Sequence, residues 1–447
     1  MVALLGQTYF IKTFGCQMNK YDSERVAGLL EAEGLRHVAG PDDADVIVFL
    51  TCCVREGADE RLYGQVASLK RLKTAGKTPL IAVGGCIGQR DGAELQARIP
   101  HIDVVFGTHN LHELPALLRA AARENTPQIA RAGESSIADF DRQVPEMREH
   151  RFHAWLPISV GCNNFCSYCI VPYVRGREVS RPLNEIVDIA HSLVADGVRE
   201  ITLLGQNVNS YGRDLYGEPR FAQVLEAVAA TGVSRLGFAT SHPKDLVDET
   251  IRVMAEQPAI LRYLHLPVQH GNNEILSAMR RAYTREQYLQ RVAALRAAIP
   301  DITLSTDIIV GFPGETEAQF EDTLDLVSQV GFDQAFTFIY SPREGTRAAR
   351  MPEHIPHRVA LERFDRLTEL VQSNAEACNV RLLNTTQSVL FEGPSKRDPA
   401  LMTGRTRGYK LVHVPLPAGV DEDALRGQER DVRITATQAF YLQGVLE

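Results

Sequence analysis

Residues 156–169 read LPISVGCNNFCSYC, a short apolar run that passes directly into three closely spaced cysteines. The apolar run predicts a buried strand, and the Gly- and Asn-containing segment after it predicts a loop. Cys162, Cys166 and Cys169 would therefore lie together at the carboxyl end of a strand. Parallel α/β folds bind their ligands at this end of the strands. The stretch thus predicts both the type of fold and a candidate metal site.

Five further candidate strands follow, and amphipathic helical segments such as 184–195 and 318–330 lie between them. Together with the first strand they cover residues 156–160, 201–204, 235–239, 263–268, 303–310 and 334–340. Strand–helix alternation predicts parallel strands that are joined by crossover helices. Because these six units are fewer than those of the closed eight-unit form, we predict a partial (β/α)6 barrel over residues 151–374.

The segment before this domain alternates in the same way. Helical patterns such as 23–33 and 58–74 follow its apolar runs, which lie at 9–11, 46–49, 80–83 and 104–106. Residues 1–125 are therefore predicted to form a parallel-sheet domain, with every loop that follows a strand at one edge. Residues 126–150 are polar and lack apolar periodicity, so we predict a linker there.

The pattern changes after residue 374. Short candidate strands, without a helix-length stretch between them, lie at 387–391, 411–414, 432–436 and 439–446. They predict a small β-barrel over residues 375–447. The expected fold class is α/β, with an N-terminal parallel sheet, a central partial (β/α)6 barrel and a C-terminal small β-barrel.

Composition excludes several classes of protein. The chain has 447 residues, of which 44% are hydrophobic and 23% charged, and its formal net charge is −8. These values exclude wholesale disorder and a uniformly basic protein that coats nucleic acid. No membrane-spanning run or secretory signal is recognisable, so we predict a cytoplasmic protein. In a reducing compartment the eight cysteines are expected to be thiols, and their grouping indicates metal or redox chemistry.

The spacing of Cys162, Cys166 and Cys169 suits the binding of three irons of a [4Fe–4S] cluster. Soft thiolates are the usual ligands of such clusters, which commonly have four of them. Because no fourth cysteine is nearby in the sequence, one iron would stay open to another ligand. A zinc site completed by a distant histidine, or three buried thiols, are the alternatives.

Three cysteines of the N-terminal domain form a second candidate site. Cys16, Cys52 and Cys86 each follow an apolar run, and parallel strands would bring all three to one edge of the sheet. Converging thiolates again suit a cluster with one open iron, although a lone free cysteine is more often a small buried hydrophobic residue. Neighbours on an extended segment point to opposite sides, so either Cys52 or the adjacent Cys53 should reach this site. Cys378 has no partner in the sequence and is assigned no role.

Four stretches of the sequence resemble a known family. GCNNFCSYCIVPYVRGREVSRP at 161–182 is similar to the radical S-adenosylmethionine (SAM) enzymes, and more narrowly to the methylthiotransferases that modify tRNA adenosines. TFGCQMNKYDS at 13–23, TCCVRE at 51–56 and VGGC at 83–86 resemble the three cysteine motifs of their N-terminal domain.

This resemblance implies two [4Fe–4S] clusters. One would bind the amino and carboxylate groups of SAM at its open iron and cleave it to a 5′-deoxyadenosyl radical; its implied ligands are Cys162, Cys166 and Cys169. The other would be an auxiliary cluster, with the implied ligands Cys16, Cys52 and Cys86.

The chain departs from the family pattern at three positions. Leu50 replaces an asparagine that the family commonly has, and leucine cannot donate a hydrogen bond to a ligand. Cys53 replaces a small residue, and the motif favours Cys52 as the ligand. His270 stands where the family often has serine, and it is assigned no role.

Two loops are candidates for binding SAM. Gly205, Gln206 and Asn207 follow the second central strand, where glycine permits close approach and amides can bind a polar ligand. A plain strand-to-helix turn is the alternative, but the resemblance implies contact with the methionine end of SAM. The resemblance also places the loop that contains Gly311 near the adenosyl group. No acid–base catalyst is assigned, because the implied chemistry takes place at the clusters.

The C-terminal region is locally basic. Between residues 381 and 416 two acidic residues are outnumbered by Arg381, Lys396, Arg397, Arg405, Arg407 and Lys410. A small barrel with a basic face can bind a nucleic-acid backbone, and a solvated basic face is the alternative. Residues 389–414 resemble the TRAM domain, an RNA-binding barrel that is attached to this family.

The resemblance spans nearly the whole chain. It implies transfer of a methylthio group to C2 of N6-dimethylallyladenosine at position 37 of tRNA, with two molecules of SAM and two clusters. Alternatives are a sibling methylthiotransferase that acts on threonylcarbamoyladenosine or on a ribosomal-protein aspartate, and a non-catalytic iron–sulfur RNA-binding redox sensor. The implied partners are tRNA and an electron donor such as flavodoxin or ferredoxin. A monomer that does not associate with membranes is expected.

Overall fold

The computed structural model describes residues 6–53, 58–74, 76–131, 146–416, 419 and 421–447, without the side chains of residues 58 and 59. The chain divides into two compact units. The first consists of Met1–Glu149, Ser159–Phe165 and Cys169–Arg181, and the second consists of His150–Ile158, Cys166–Tyr168 and Pro182–Glu447.

The strands of the described residues are, in chain order, β1 Thr8–Thr13, β2 Arg36–His37, β3 Val46–Thr51, β4 Leu80–Gly85, β5 Val104–Phe106, β6 Gln128–Ala130, β7 His153–Pro157, β8 Ser159–Val160, β9 Val179–Ser180, β10 Glu200–Leu204, β11 Arg235–Phe238, β12 Tyr263–His265, β13 Thr303–Val310, β14 Gln334–Ile339, β15 Thr386–Pro394, β16 Leu401–Thr406, β17 Leu411–Pro415, β18 Glu429–Thr437 and β19 Leu442–Leu446.

The α-helices of these residues are α1 Gln17–Ala32, α2 Ala58–Ser68, α3 Lys70–Thr74, α4 Cys86–Asp91, α5 Ala93–Arg98, α6 Leu114–Glu124, α7 Val171–Val174, α8 Leu183–Ala195, α9 Arg213–Tyr216, α10 Phe221–Ala229, α11 Asp248–Glu256, α12 Asn273–Ala278, α13 Arg285–Ala298, α14 Glu317–Val330, α15 His357–Val380 and α16 Glu422–Leu425. Short 3₁₀ helices lie at Pro41–Asp43, Leu111–Glu113, Val208–Ser210, Pro243–Asp245 and Ala348–Arg350.

The first unit contains a six-stranded sheet in the order β2-β1-β3-β4-β5-β6, with every neighbouring pair parallel. All six residues of β3 are buried, as expected for a central strand that is covered on both faces by helices. The predicted parallel-sheet domain is therefore confirmed. β1, β3 and β4 are direct neighbours, and so their carboxyl ends meet at one edge.

The sequence did not predict the edge strands β2 and β6. They have two and three residues, and neither contains an apolar run. They are held by backbone pairing to the strand beside them rather than by burial of side chains. β6 lies within the segment predicted as a linker, so the sheet continues beyond residue 125; residues 132–145 of that segment lie outside the described residues.

The central barrel lies in the second unit. Its strands follow one another in chain order, as two parallel sheets with the orders β11-β10-β7 and β12-β13-β14. A parallel bridge between Leu236 and Ile260 connects β11 to the segment before β12. The predicted six-unit partial barrel is thus confirmed. The first predicted strand is interrupted after Pro157, and its last two residues form β8, which pairs with β9 in an antiparallel pair.

The C-terminal strands form a closed barrel in the order β15-β16-β17-β19-β18, which confirms the predicted small β-barrel. The sequence did not predict β16, because its LMTGRT segment has a glycine at an inward position. A Cβ atom at Gly404 would lie 2.5 Å from Cγ1 of Val389, so only glycine lets these two strands pack.

Buried polar contacts dock this barrel on the amino ends of the central strands. Arg235, the first residue of β11, is fully buried and forms ion pairs with Glu200 (2.7 Å) and with Glu429 of β18 (2.9 Å). Lys410 forms a third pair with Asp333 (2.7 Å). The barrel therefore covers the amino ends of the central strands.

Across the described ranges, no helix is both long enough and apolar enough to span a bilayer.

Candidate functional site

The three cysteines predicted at the edge of the first sheet are brought together. Cys52 and Cys86 directly follow β3 and β4, and Cys16 precedes α1 by one residue. A hydrogen bond between the Cys16 and Cys52 side chains, aided by the positive charge of Arg175, lowers the pKa of Cys16 to about 6. Cys86 lies close enough to Cys16 for their charges to interact, so the three thiols lie near one another at this edge of the sheet.

Glycine residues before two of these cysteines permit the close approach. Gly15 has a φ of +113°, and a Cβ atom there would lie 2.2 Å from Cβ of Cys52. Gly85 has a φ of +88°, and its Cβ would lie 2.7 Å from the carbonyl oxygen of Thr51. A side chain at either position would push the strand ends apart.

The Cys53 thiol also contacts this site, which the sequence did not predict. Its side chain hydrogen-bonds Cys86, which raises the pKa of Cys53 and lowers the pKa of Cys86 to about 7. Cys53 is also fully buried in the hydrophobic core cluster that contains Ile47 and Phe49, whereas Cys52 lies against Gly15 and Cys16. That Cys52 and not Cys53 is the cluster ligand stays a prediction.

Arg175 is a member of this site that the sequence analysis missed. Its guanidinium is buried and donates to Asn19 (3.0 Å), to Asp22 (3.2 Å) and to the sulfur of Cys86. Both partners on α1 belong to the quoted FGCQMNKYDS stretch, and Arg175 belongs to PYVRGRE. The position of this arginine directly after the apolar run VPYV could have indicated that its charge is buried.

Three neighbouring thiols suit an iron–sulfur cluster, because thiolates are its usual ligands. Among the described residues, no three His, Cys, Asp or Glu side chains are arranged to hold one ion. A [4Fe–4S] cluster instead places each thiolate on a different iron. Cys16, which is half-buried, and Cys86, which is buried, both have a lowered pKa beside a buried cation, and thiolates form in such an environment.

The loop that contains Cys162 is held against a neighbouring turn in the first unit. The N–H of Cys162 donates to the carbonyl of Gly176 (3.1 Å), and Oδ1 of Asn163 accepts from the N–H of Glu178 (3.3 Å). Gly161 has a φ of +73°, and a Cβ there would lie 2.0 Å from the carbonyl oxygen of Arg177. The loop therefore has a fixed backbone before Cys166.

Cys166 lies in the second unit, beside a buried arginine. Nη1 of Arg281 donates to its sulfur at 3.4 Å, while the same guanidinium donates to Pro267 O (3.0 Å) and to the Tyr283 hydroxyl (3.0 Å). The contact of Arg281 with a cysteine was not predicted from the sequence. Cys169 is half-buried. That Cys162, Cys166 and Cys169 hold one cluster stays a prediction.

The carboxyl ends of β10 and β11 carry buried polar atoms without a partner in the protein. They are Oδ1 of Asn207, Nδ2 of Asn209, Oγ of Ser241 and Nε2 of His242. Because a buried polar atom without a hydrogen bond is costly, these four atoms fit a polar ligand. Asn207 is one of the predicted SAM contacts, and Gly205 and Gln206 lie directly before it.

His242 is held in its neutral form. Burial, together with the charges of Arg281 and Lys244, lowers its pKa. Its Nδ1 accepts from the N–H of Lys244 (3.3 Å), so Nε2 carries the proton and can donate to a ligand. The sequence analysis did not single out His242, which follows β11 within ATSHP.

Gly311 and His270 have structural partners. A Cβ atom at Gly311 would lie 2.8 Å from Cβ of Ala360, so packing against α15 already accounts for this glycine. Its predicted contact with SAM stays a prediction. His270 is buried 3.7 Å from Glu315, which forms a 3.0 Å ion pair with Arg363.

Half of the basic residues predicted on the C-terminal barrel are engaged within the protein. Arg405 pairs with Glu392 (3.3 Å), Arg407 pairs with Glu429 (3.6 Å), and Lys410 holds Asp333. The other three are exposed and remain candidates for RNA contact: Arg381, Lys396 and Arg397.

Three known families match separate parts of this chain. Residues 156–327 match the Radical SAM superfamily, residues 8–107 match the Uncharacterized protein family UPF0004, and residues 380–446 match the TRAM domain.

Two relatives are similar over nearly the whole chain. The tRNA-2-methylthio-N(6)-dimethylallyladenosine synthase of Moorella thermoacetica is 47% identical over 441 residues, which cover 98% of each chain. The protein of the same name from Ralstonia nicotianae is 44% identical and covers 97% of this chain and 96% of its own.

Among solved structures, the radical S-adenosylmethionine methyltransferase TsrM from Kitasatospora setae has a similar fold. Its TM-score is 0.57 at 15% identity, with 77% of this chain and 74% of that chain covered. At this identity the likeness supports the fold alone.

Proposed function

This chain belongs to the family of tRNA-2-methylthio-N6-dimethylallyladenosine synthases, and from that membership we propose that it transfers a methylthio group to C2 of N6-dimethylallyladenosine at position 37 of tRNA. It is a radical SAM enzyme with a tRNA substrate.

The observation that carries the proposal is the convergence of Cys16, Cys52 and Cys86 at three neighbouring strand ends. A radical SAM enzyme that only cleaves SAM needs one cysteine site, which in this chain would be the loop with Cys162, Cys166 and Cys169. A second thiol site supports a reaction that must also deliver sulfur to the substrate.

When bound, the clusters and SAM supply the one-electron chemistry that an unreactive aromatic C–H bond requires. The residues of this chain bind and orient these groups. Cys162, Cys166 and Cys169 would hold the cluster that binds SAM, and Arg281 donates a hydrogen bond to the sulfur of Cys166. Gly205, Gln206, Asn207 and Gly311 would contact SAM, and the unpartnered donors of Asn209 and His242 would add hydrogen bonds.

The C-terminal barrel would bind the tRNA through Arg381, Lys396 and Arg397, since these basic residues are exposed. An anticodon loop offers unstacked bases that can enter an active site. We further propose that the protein acts as a cytoplasmic monomer and receives electrons from a donor such as flavodoxin or ferredoxin.

A sibling methylthiotransferase that modifies threonylcarbamoyladenosine or a ribosomal-protein aspartate would share the cysteine sites. The exposed basic residues of the barrel favour an RNA substrate over the ribosomal protein. A non-catalytic redox sensor would have no use for the unpartnered polar atoms at the ends of β10 and β11.

The proposal is tested with tRNA nucleosides from a strain that lacks the gene, analysed by mass spectrometry. We expect loss of 2-methylthio-N6-dimethylallyladenosine, accumulation of the unmodified N6-dimethylallyladenosine, and restoration by the wild-type gene. Restoration must fail with Cys52→Ala and with Cys166→Ala. Loss of the methylthio group from threonylcarbamoyladenosine instead would assign the protein to the sibling enzyme.

A further inference from the structure

Arg175 is a fully enclosed cation at the edge of the first sheet. Only 5% of the residue is exposed, and its guanidinium donates to Asn19 (3.0 Å), Asp22 (3.2 Å) and the sulfur of Cys86. Its positive charge also acts on Cys16. Removing such a charge from water costs several kcal/mol unless partners of opposite charge surround it.

The partners of Arg175 are themselves fixed. Asn19 and Asp22 follow Cys16 by three and six residues, so all three lie on one face of the first turns of α1. Nδ2 of Asn19 donates to the carbonyl of Phe14 at 2.7 Å, which leaves Oδ1 aimed at the guanidinium. The orientation of Arg175 toward the cysteines is therefore set by the same helix that positions Cys16.

Besides Asp22, the thiolates of Cys86 and Cys16 contribute negative charge around Arg175. Another described cation, Arg90, acts on Cys53, but its guanidinium is already paired with Asp91 at 2.5 Å.

Three thiolates outnumber the positive charges of an oxidised [4Fe–4S] core, so a cluster at this site would be net negative. Reduction would increase that negative charge, and a buried cation stabilises the reduced form.

We propose that Arg175 is a positioning residue that sets the reduction potential of the auxiliary cluster, with Asp22 as the opposing charge. Arg175 raises the potential through its charge and its hydrogen bond to the Cys86 sulfur, and Asp22 lowers it while holding the guanidinium in place. This inference rests on the proposed function, which assigns the auxiliary cluster to Cys16, Cys52 and Cys86.

The experiment uses the full chain with Cys162, Cys166 and Cys169 replaced by alanine, so that only the auxiliary cluster is reconstituted. Its midpoint potential is measured by redox titration followed by electron paramagnetic resonance. Arg175→Gln is expected to lower the midpoint, and Asp22→Asn to raise it. Arg175→Lys keeps the charge and should stay nearer to wild type than Arg175→Gln.

The matched controls are Arg119→Gln and Glu33→Gln. These residues form a 2.5 Å ion pair, and Glu33 follows the last residue of α1, so that the 16-residue helix separates it from Cys16. Both control variants should leave the midpoint unchanged. A loss of packing alone would shift the midpoint potentials of Arg175→Gln and Asp22→Asn in the same direction. The proposal requires shifts in opposite directions.

Shifts in the same direction, or no shift in either variant, would overturn the role of Arg175. If Arg175→Gln fails to bind a cluster, then Asp22→Asn and Arg175→Lys decide the question. If the parent chain, with Arg175 and Asp22 intact, binds no cluster, the proposed function fails and the inference fails with it. Iron and sulfide analysis of the parent chain therefore separates the two failures.

Discussion

Arg235 and Glu429 form a 2.9 Å ion pair between the first residue of β11 and the first residue of β18. Arg235 is fully buried and also pairs with Glu200, so one guanidinium joins two central strands to the C-terminal barrel. It further donates to the carbonyl of Thr406 at 2.9 Å. This side chain therefore contributes several of the contacts that dock the barrel on the central strands.

Arg235→Ala should destabilise the protein by about 3–5 kcal/mol, because it leaves the buried Glu200 carboxylate without its ion-pair partner. Arg235→Lys should restore only part of this, since an ammonium cannot reach three acceptors with the geometry of a guanidinium. Urea unfolding measures the change in the free energy of unfolding. Arg430→Ala, at an exposed position next to Glu429, is the control; an equal effect of both alanine variants would contradict the prediction.

Glu24 should make the stability of the protein depend on pH. Burial raises the pKa of Glu24 to about 7, although the N–H of Glu149 donates to it at 2.9 Å and opposes the rise. A folded-state pKa above the unfolded value gives stability that is present at low pH and lost as the pH rises through the folded pKa. From about pH 5 to about pH 8 the free energy of unfolding should fall by up to about 3 kcal/mol, at about 1.4 kcal/mol per pKa unit.

Glu24→Gln should remove this part of the pH dependence while wild type retains it. Denaturant unfolding of both proteins across that pH range provides the comparison. If the free energies of unfolding of the two proteins change in parallel with pH, Glu24 does not cause the pH dependence.

Two separate clusters should bind two separate groups of cysteines. Anaerobically reconstituted protein is expected to hold about eight irons, as two four-iron clusters. Replacement of Cys162, Cys166 and Cys169 by alanine should leave about half of them. Iron analysis that finds complete loss, or no loss, would refute the two-site arrangement.

Cys52 and Cys53 should differ in their effect on the auxiliary cluster. Cys52→Ala should lose the cluster and methylthiolation, whereas reductive cleavage of SAM persists at the other cluster. Cys53→Ala should keep the iron at a small cost in packing, although its side chain contacts Cys86. Iron content and 5′-deoxyadenosine production measure both effects. The opposite result for the two variants would make Cys53 the ligand.

Lys396 and Arg397 should contribute to tRNA binding through phosphate contacts. Each such contact that is lost should reduce the salt slope of binding by about one unit. Lys396→Ala and Arg397→Ala are compared with Lys70→Ala, an exposed lysine outside the barrel, by filter binding at several salt concentrations. An unchanged slope in both barrel variants would place the RNA contacts on other residues.

Long apolar strands could be predicted from the sequence because burial alone determines them. The strand over residues 303–310 was predicted with the bounds of β13, and all but one of its residues are buried. The edge strands β2 and β6 depend on backbone pairing with a neighbour, which leaves no apolar pattern to recognise.

Of the residues at the candidate sites, the sequence could predict only those that directly follow a strand. Convergence of Cys16, Cys52 and Cys86 followed from parallel neighbouring strands. The contacts of Arg175 with Asn19 and of Arg281 with Cys166 join residues more than a hundred positions apart, so no local pattern indicates them. The hydrogen bond of Cys53 to Cys86 joins the ends of two different strands, and no local pattern indicates it either.

The helix α15 runs from His357 to Val380 without interruption, and the predicted domain boundary at residue 374 falls inside it. Its penultimate residue, Asn379, donates to the carbonyls of Gln438 (2.7 Å) and Ala439 (3.1 Å) in the last turn of the barrel. The central domain and the C-terminal barrel are thus joined by a continuous helix about 36 Å long, at 1.5 Å per residue, and not by a flexible linker. Because Arg235 and Lys410 also fix the barrel to the ends of the central strands, we expect the barrel to keep this position when tRNA binds.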